Sequence, residues 1–81
     1  MNERTLSPAE LQAVGRARRL VADGTAKELR LAAQLRAAET ARTLGISPQL
    51  LCDLEHGRRR PTGLTGLRYA QFLEQLQEGR S

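Results

Sequence analysis

Four consecutive residues, Gly45-Ile46-Ser47-Pro48, constrain the fold more than any other feature, because they stop one helix and start another with almost no chain between. The apolar pattern before them closes at Leu44. Gly45 then stands where a left-handed backbone is needed, a conformation that glycine enters without a Cβ penalty. Ser47 has the side chain of an N-cap, ready to accept from the free N–H groups of the next turn, and Pro48 suits the first helical position, where its missing N–H costs nothing. Ile46 is apolar where connecting residues are normally polar, so it is expected to fill the angle between the helices. The predicted unit is a helix over 37–44, a tight turn, and a second helix over 48–56.

On a wheel of about 100° per residue with Gln49 at zero, Asp53 and His56 fall within about 40° and Cys52 within about 60°, forming an outward face. Leu51, Leu54 and Glu55 gather on the opposite side. The two leucines should anchor the helix to a core, and the carboxylate, drawn inward beside them, needs a cation. Gly57 ends the helix, Arg58, Arg59 and Arg60 follow, and Pro61 prevents continuation.

At these residues the chain resembles the lambda-repressor-like, Cro or XRE family of bacterial and phage helix-turn-helix domains. The matching residues are Arg30, Ala41, Leu44, Gly45, Ile46, Ser47, Leu51, Leu54, Glu55 and Gly57, and the likeness extends over about Lys27 to Leu73. The resemblance implies an all-α, five-helix domain that binds DNA, and it implies Arg30 as the cation for Glu55. The chain also departs from the family pattern. Arg36 and Ala37 replace the usual Ser or Thr followed by a phosphate-holding Gln, Thr40 replaces a leucine, and His56 replaces an asparagine. The recognition helix itself carries no basic residue.

With 81 residues there is room for one domain and a small core. Thirteen Lys and Arg against nine Asp and Glu give a net charge of +4, nearly all of the cations being arginine, which favours a polyanionic partner. One cysteine, Cys52, and one histidine, His56, exclude a disulfide framework and a cysteine zinc cluster, so neither metal nor cofactor is expected, and a reducing bacterial cytoplasm fits. No apolar run approaches the roughly 18 residues that span a bilayer, and no secretory leader is evident. With no phosphate-cradling glycine loop and no paired-carboxylate cleft, the chain is not expected to be an enzyme.

The whole chain, 1–81, reads as a single domain of helices over about 8–23, 25–34, 37–44, 48–56 and 64–78, with frayed ends at 1–6 and 79–81. Ser7 to Glu10 and Thr25 to Glu28 each have the form of a capping box, and Thr62 or Thr65 is expected to cap the last helix. No segment alternates as a strand does. On the first helix Leu11, Val14, Ala17, Leu20 and Val21 face inward, opposite Arg16 and Arg19 with Arg18 at the border. On the last helix Tyr69, Ala70, Phe72, Leu73 and Leu76 form an apolar arc. That arc either joins the core or pairs with a second copy, which would set two recognition helices about 34 Å apart on a pseudo-palindromic operator.

The expected function is a sequence-specific double-stranded DNA-binding regulator, of the kind found as small phage or mobile-element repressors. Gln49, Leu50 and Asp53 are the expected base readers in the major groove. Arg36, Ser47, Pro48, His56, Arg58, Arg59 and Arg60 are the expected backbone contacts, and Arg30 with Glu55 the structural ion pair. No small-molecule ligand is evident. A protein-interaction module that keeps the scaffold and redirects the recognition helix remains the alternative, suggested by the apolar and acidic run Leu50-Leu51-Cys52-Asp53-Leu54.

Overall fold

In the computed structural model, which describes residues 5–80, helix α1 (Pro8–Ala22) opens on the capping box that its sequence predicts. Ser7 Oγ accepts from the Glu10 N–H at 3.1 Å, and Glu10 Oε1 accepts in return from the Ser7 N–H at 2.9 Å. Asp23 follows the helix and Gly24 turns the chain at φ 84° into α2 (Thr25–Ala32). The second capping box does not form. Thr25 is already the first helical residue, and its N–H is satisfied by Asp23 Oδ1 at 2.9 Å, a carboxylate two residues upstream doing what the Glu28 carboxylate was expected to do. The Thr25 hydroxyl, together with that N–H, holds the Asp23 carboxyl below its ordinary pKa. Helix α2 closes two residues earlier than expected, because Gln34 adopts a left-handed φ of 62°.

Helices α3 (Ala37–Leu44) and α4 (Pro48–Glu55) enclose the turn as predicted. α5 (Gly63–Arg80) is longer at both ends than the pattern suggested. Thr65 lies inside it and is no cap, and the Thr62 carbonyl accepts from the Gly66 N–H at 2.7 Å. Residues 1–4 and 81, where part of the expected fraying falls, lie outside the described residues, and α5 runs on through Gly79. No strand occurs among the described residues, and the fold is all-α.

Every helix sends apolar side chains into one core: Ala13 and Ala17 from α1, Ala26 and Leu29 from α2, Ala41 and Leu44 from α3, Leu51 and Leu54 from α4, and Tyr69, Ala70 and Leu73 from α5. The apolar arc of α5 is therefore spent largely within the molecule, with Phe72 and Leu76 only partly covered. Leu11, expected to face inward, is instead 53% exposed, because the buried line of α1 passes through Ala13, Val14 and Ala17. α1 lies chiefly against α5. At their meeting point a Cβ on Gly66 would stand 2.9 Å from the Pro61 carbonyl carbon and 3.3 Å from Val14 Cγ1, so only glycine lets the three segments approach this closely. Among the described residues two hydroxyls, Thr40 Oγ1 and Tyr69 Oη, are buried without a hydrogen-bond partner. Burial pushes the Tyr69 phenol to a pKa well above its ordinary value.

Candidate nucleic-acid interface

The α3–α4 corner follows from the residues that compose it. Gly45 takes φ 75°, Ile46 is partly buried against the core, and Ser47 Oγ accepts from the Leu50 N–H at 3.0 Å. Arg68 of α5 is exposed and reaches this corner, with Nη1 3.5 Å from where a Gly45 Cβ would lie.

Behind α4, Leu51 and Leu54 are buried, and Glu55 meets Arg30 in a two-pronged ion pair, Nε to Oε2 at 2.5 Å and Nη2 to Oε1 at 3.0 Å. The third edge of the same guanidinium donates from Nη1 to the Leu35 carbonyl at 2.8 Å. One arginine thus joins α2, the α2–α3 connection and α4, and the hydrogen bonds to Glu55 raise the Arg30 pKa further. Arg30 and Glu55 are thus brought together as the resemblance implied.

The outward flank of α4 has an organisation that the sequence reading missed. Asp53 Oδ1 accepts from Gln49 Nε2 at 3.1 Å and from Arg58 Nε at 2.9 Å. Arg58 also donates to Cys52 Sγ at 3.3 Å. Asp53 and Arg58, expected to act separately on a base and on a phosphate, are each other's partners here, and the guanidinium keeps the Asp53 carboxyl below its usual range. The signal was present: Gln49 and Asp53 are four apart on a helix, and Gly57, at φ 75°, folds the chain back so that Arg58 returns toward α4. The Arg58 and Arg59 N–H groups both reach the Asp53 carbonyl, at 2.8 and 3.2 Å, which closes this turn.

The other sequence-named residues distribute around this flank. Gln49, Ser47, Pro48 and His56 are exposed, and His56 Nδ1 lies 2.8 Å from the Cys52 carbonyl, to which a proton on that nitrogen donates. Leu50 is partly buried against the core rather than free on the outer face. Arg36, at the start of α3, gives its backbone N–H to Glu39 Oε1 at 2.8 Å and leaves its side chain exposed. Arg59 and Arg60 are likewise exposed, and none of these three guanidiniums has a carboxylate partner among the described residues. A short helix with one polar flank, followed directly by the exposed Arg59 and Arg60, is chemically suited to a polyanion. Among the described residues no cluster of acidic, histidine and cysteine side chains is placed to hold a metal, and no helix is long and apolar enough to cross a membrane.

A sequence profile described as helix-turn-helix matches residues 27–76, from the first turn of α2 to near the end of α5. No curated protein and no solved structure matches the chain.

Proposed function

Because the chain belongs to the helix-turn-helix family, in its XRE or lambda-repressor-like form, we propose that it is a sequence-specific regulator that reads the major groove of double-stranded DNA with α4. The observation that carries this reading is the mounting of α4. It is fixed from behind by two buried leucines and the Arg30–Glu55 pair, while its front holds exposed Gln49 and the turn that follows it carries exposed Arg59 and Arg60. Gln49 makes the bidentate contact to adenine, and Leu50, from the edge of the face, meets a thymine methyl. Asp53 accepts from a cytosine amino group once Arg58 exchanges it for a phosphate. Ser47 and Pro48 set the positive end of α4 at the backbone, where His56, Arg36, Arg59 and Arg60 supply most of the affinity.

A single eight-residue helix reaches few base pairs, so the reading extends to two copies on a pseudo-palindromic operator, as in a small phage or mobile-element repressor acting at the bacterial nucleoid. Fluorescence anisotropy with a selected duplex and random duplexes, at two salt concentrations, tests it. Arg59→Ala is expected to weaken both complexes alike, and Gln49→Ala only the selected one. Equal and weak binding to all duplexes would end the claim of specificity.

One observation favours a second reading. Gln49, Asp53 and Arg58 already satisfy one another, so this flank is closer to neutral than its composition suggests, as suits a protein partner. Unchanged DNA retention by the Gln49→Ala, Arg59→Ala double variant, together with loss of a protein captured by the parent chain, would transfer the function to that partner.

A further inference from the structure

Arg18 lies on α1, outside the family-matched span of 27–76. Its Nε donates to the Pro61 carbonyl at 3.0 Å, which holds the α1 guanidinium beside the turn that carries Arg59 and Arg60. The three arginines border one open cleft of about 400 Å³, floored by Val21, Ala22 and Pro61, with no carboxylate in its lining. None of the three guanidiniums has a carboxylate partner among the described residues. Three like charges around an open cleft repel one another unless an anion lies between them. The cleft also touches Gly57, the residue that ends the α4 turn, so it continues the surface assigned above to DNA.

We propose that this cleft is a second backbone clamp, in which Arg18 joins Arg59 and Arg60 on the phosphates of the bound duplex and the apolar floor lies against deoxyribose. The proposal rests on the reading that α4 meets DNA. It assigns to α1, a helix outside the matched family span, a direct part in the complex. An open trough with cations along its edge and an apolar base suits a sugar–phosphate strand better than a ligand that must be enclosed.

Because the backbone contribution is independent of sequence, a random duplex of about 20 base pairs serves as the probe, with affinity followed between about 50 and 200 mM salt. Arg18→Gln is expected to lower the slope of log affinity against log salt by about 0.9, which makes the fall in affinity over that range about threefold smaller. Arg18→Lys keeps the charge and is expected to keep the slope. Phenylglyoxal modification of the unaltered protein, read by mass spectrometry, gives a measurement that needs no variant to fold: saturating duplex should protect Arg18 but not Arg16, which is directed to Glu74 of α5 at 2.7 Å. A parent chain that binds DNA while Arg18→Gln keeps its slope, or while Arg18 stays fully reactive, overturns the clamp alone. A parent chain that binds no duplex overturns the underlying reading. Protection of Arg18 by 2-naphthyl phosphate but not by duplex assigns the cleft to a small organic phosphate and also overturns the clamp.

Discussion

Two arginine–carboxylate pairs grip α4 from opposite flanks, Arg30 with Glu55 behind and Arg58 with Asp53 in front, and the contrast between them separates support from function. Behind, both Glu55 oxygens are bound, and the side chains are 9% and 4% exposed. In front, a single contact at 2.9 Å joins side chains 55% and 20% exposed. The chemistry is the same and the solvent is not. A buried pair cannot separate without leaving a charge in the core, so it acts as a fixed strut, whereas water or a phosphate can replace either partner of an exposed one. Residue types alone do not assign such roles; access to water does.

The largest test of this contrast is Glu55→Gln. It leaves Arg30 buried without its counter-charge and is expected to cost about 3–5 kcal/mol in urea unfolding. The double replacement Arg30→Met with Glu55→Leu should recover most of that loss. If the single variant loses less than about 1 kcal/mol, the rear pair is no more a strut than an exposed one.

Tyr69→Phe asks how far the rear polar site extends. The Tyr69 hydroxyl is buried and unpartnered, so its removal is expected to be neutral or to stabilise by up to about 1 kcal/mol. A clear loss would mean that the hydroxyl bonds to the ion pair in solution. Because burial raises the Tyr69 pKa above its ordinary value of 10.0, the neutral phenol supports the fold below that pH, and stability should decline as pH rises beyond it. The alkaline decline should disappear in the phenylalanine variant.

In front, Asp53→Asn should leave the urea midpoint nearly unchanged while releasing Arg58. The expected readout is a salt slope for a random duplex that is steeper by about 0.9, with tighter binding at low salt. Unchanged affinity would show that Arg58 does not reach the nucleic acid even when free. The smallest effect concerns acid. Arg58 holds the Asp53 carboxyl below its ordinary 3.8, so the stability it contributes is complete above that value and is lost as pH falls through the lowered one. Acid titrations of the parent and Asp53→Asn should therefore diverge only below about pH 4.

Legibility in the sequence followed the range of the interaction. The α3–α4 corner was readable because Gly45, Ser47 and Pro48 act on groups within three residues of themselves. Ser7 and Glu10 were readable for the same reason, but the Thr25–Glu28 box was not, since Asp23 competed with Glu28 for the Thr25 N–H and took it. Glu55 declared by its position that it needed a cation, and only the family resemblance pointed to Arg30, which is 25 residues away. Arg16 with Glu74, 58 residues apart, had no local signal. The Asp53–Arg58 pair lay within reach of sequence reasoning but went unseen, because helical spacing does not extend across the left-handed Gly57.

What the chain carries in its sequence alone is the helix-turn-helix itself: where each helix starts and stops, and which faces are apolar, since caps, glycines and periodicity act over one or two turns. Packing decided which cations remain available. It paired Arg16 with Glu74, tied Arg18 to Pro61 beside Arg59 and Arg60, and left Arg36 exposed at the start of α3. Charge is a property of composition, but whether a charge is already neutralised depends on which helices meet. That is set by the close approach at Gly66 and the shared core of α1 and α5, through contacts between residues distant in the chain.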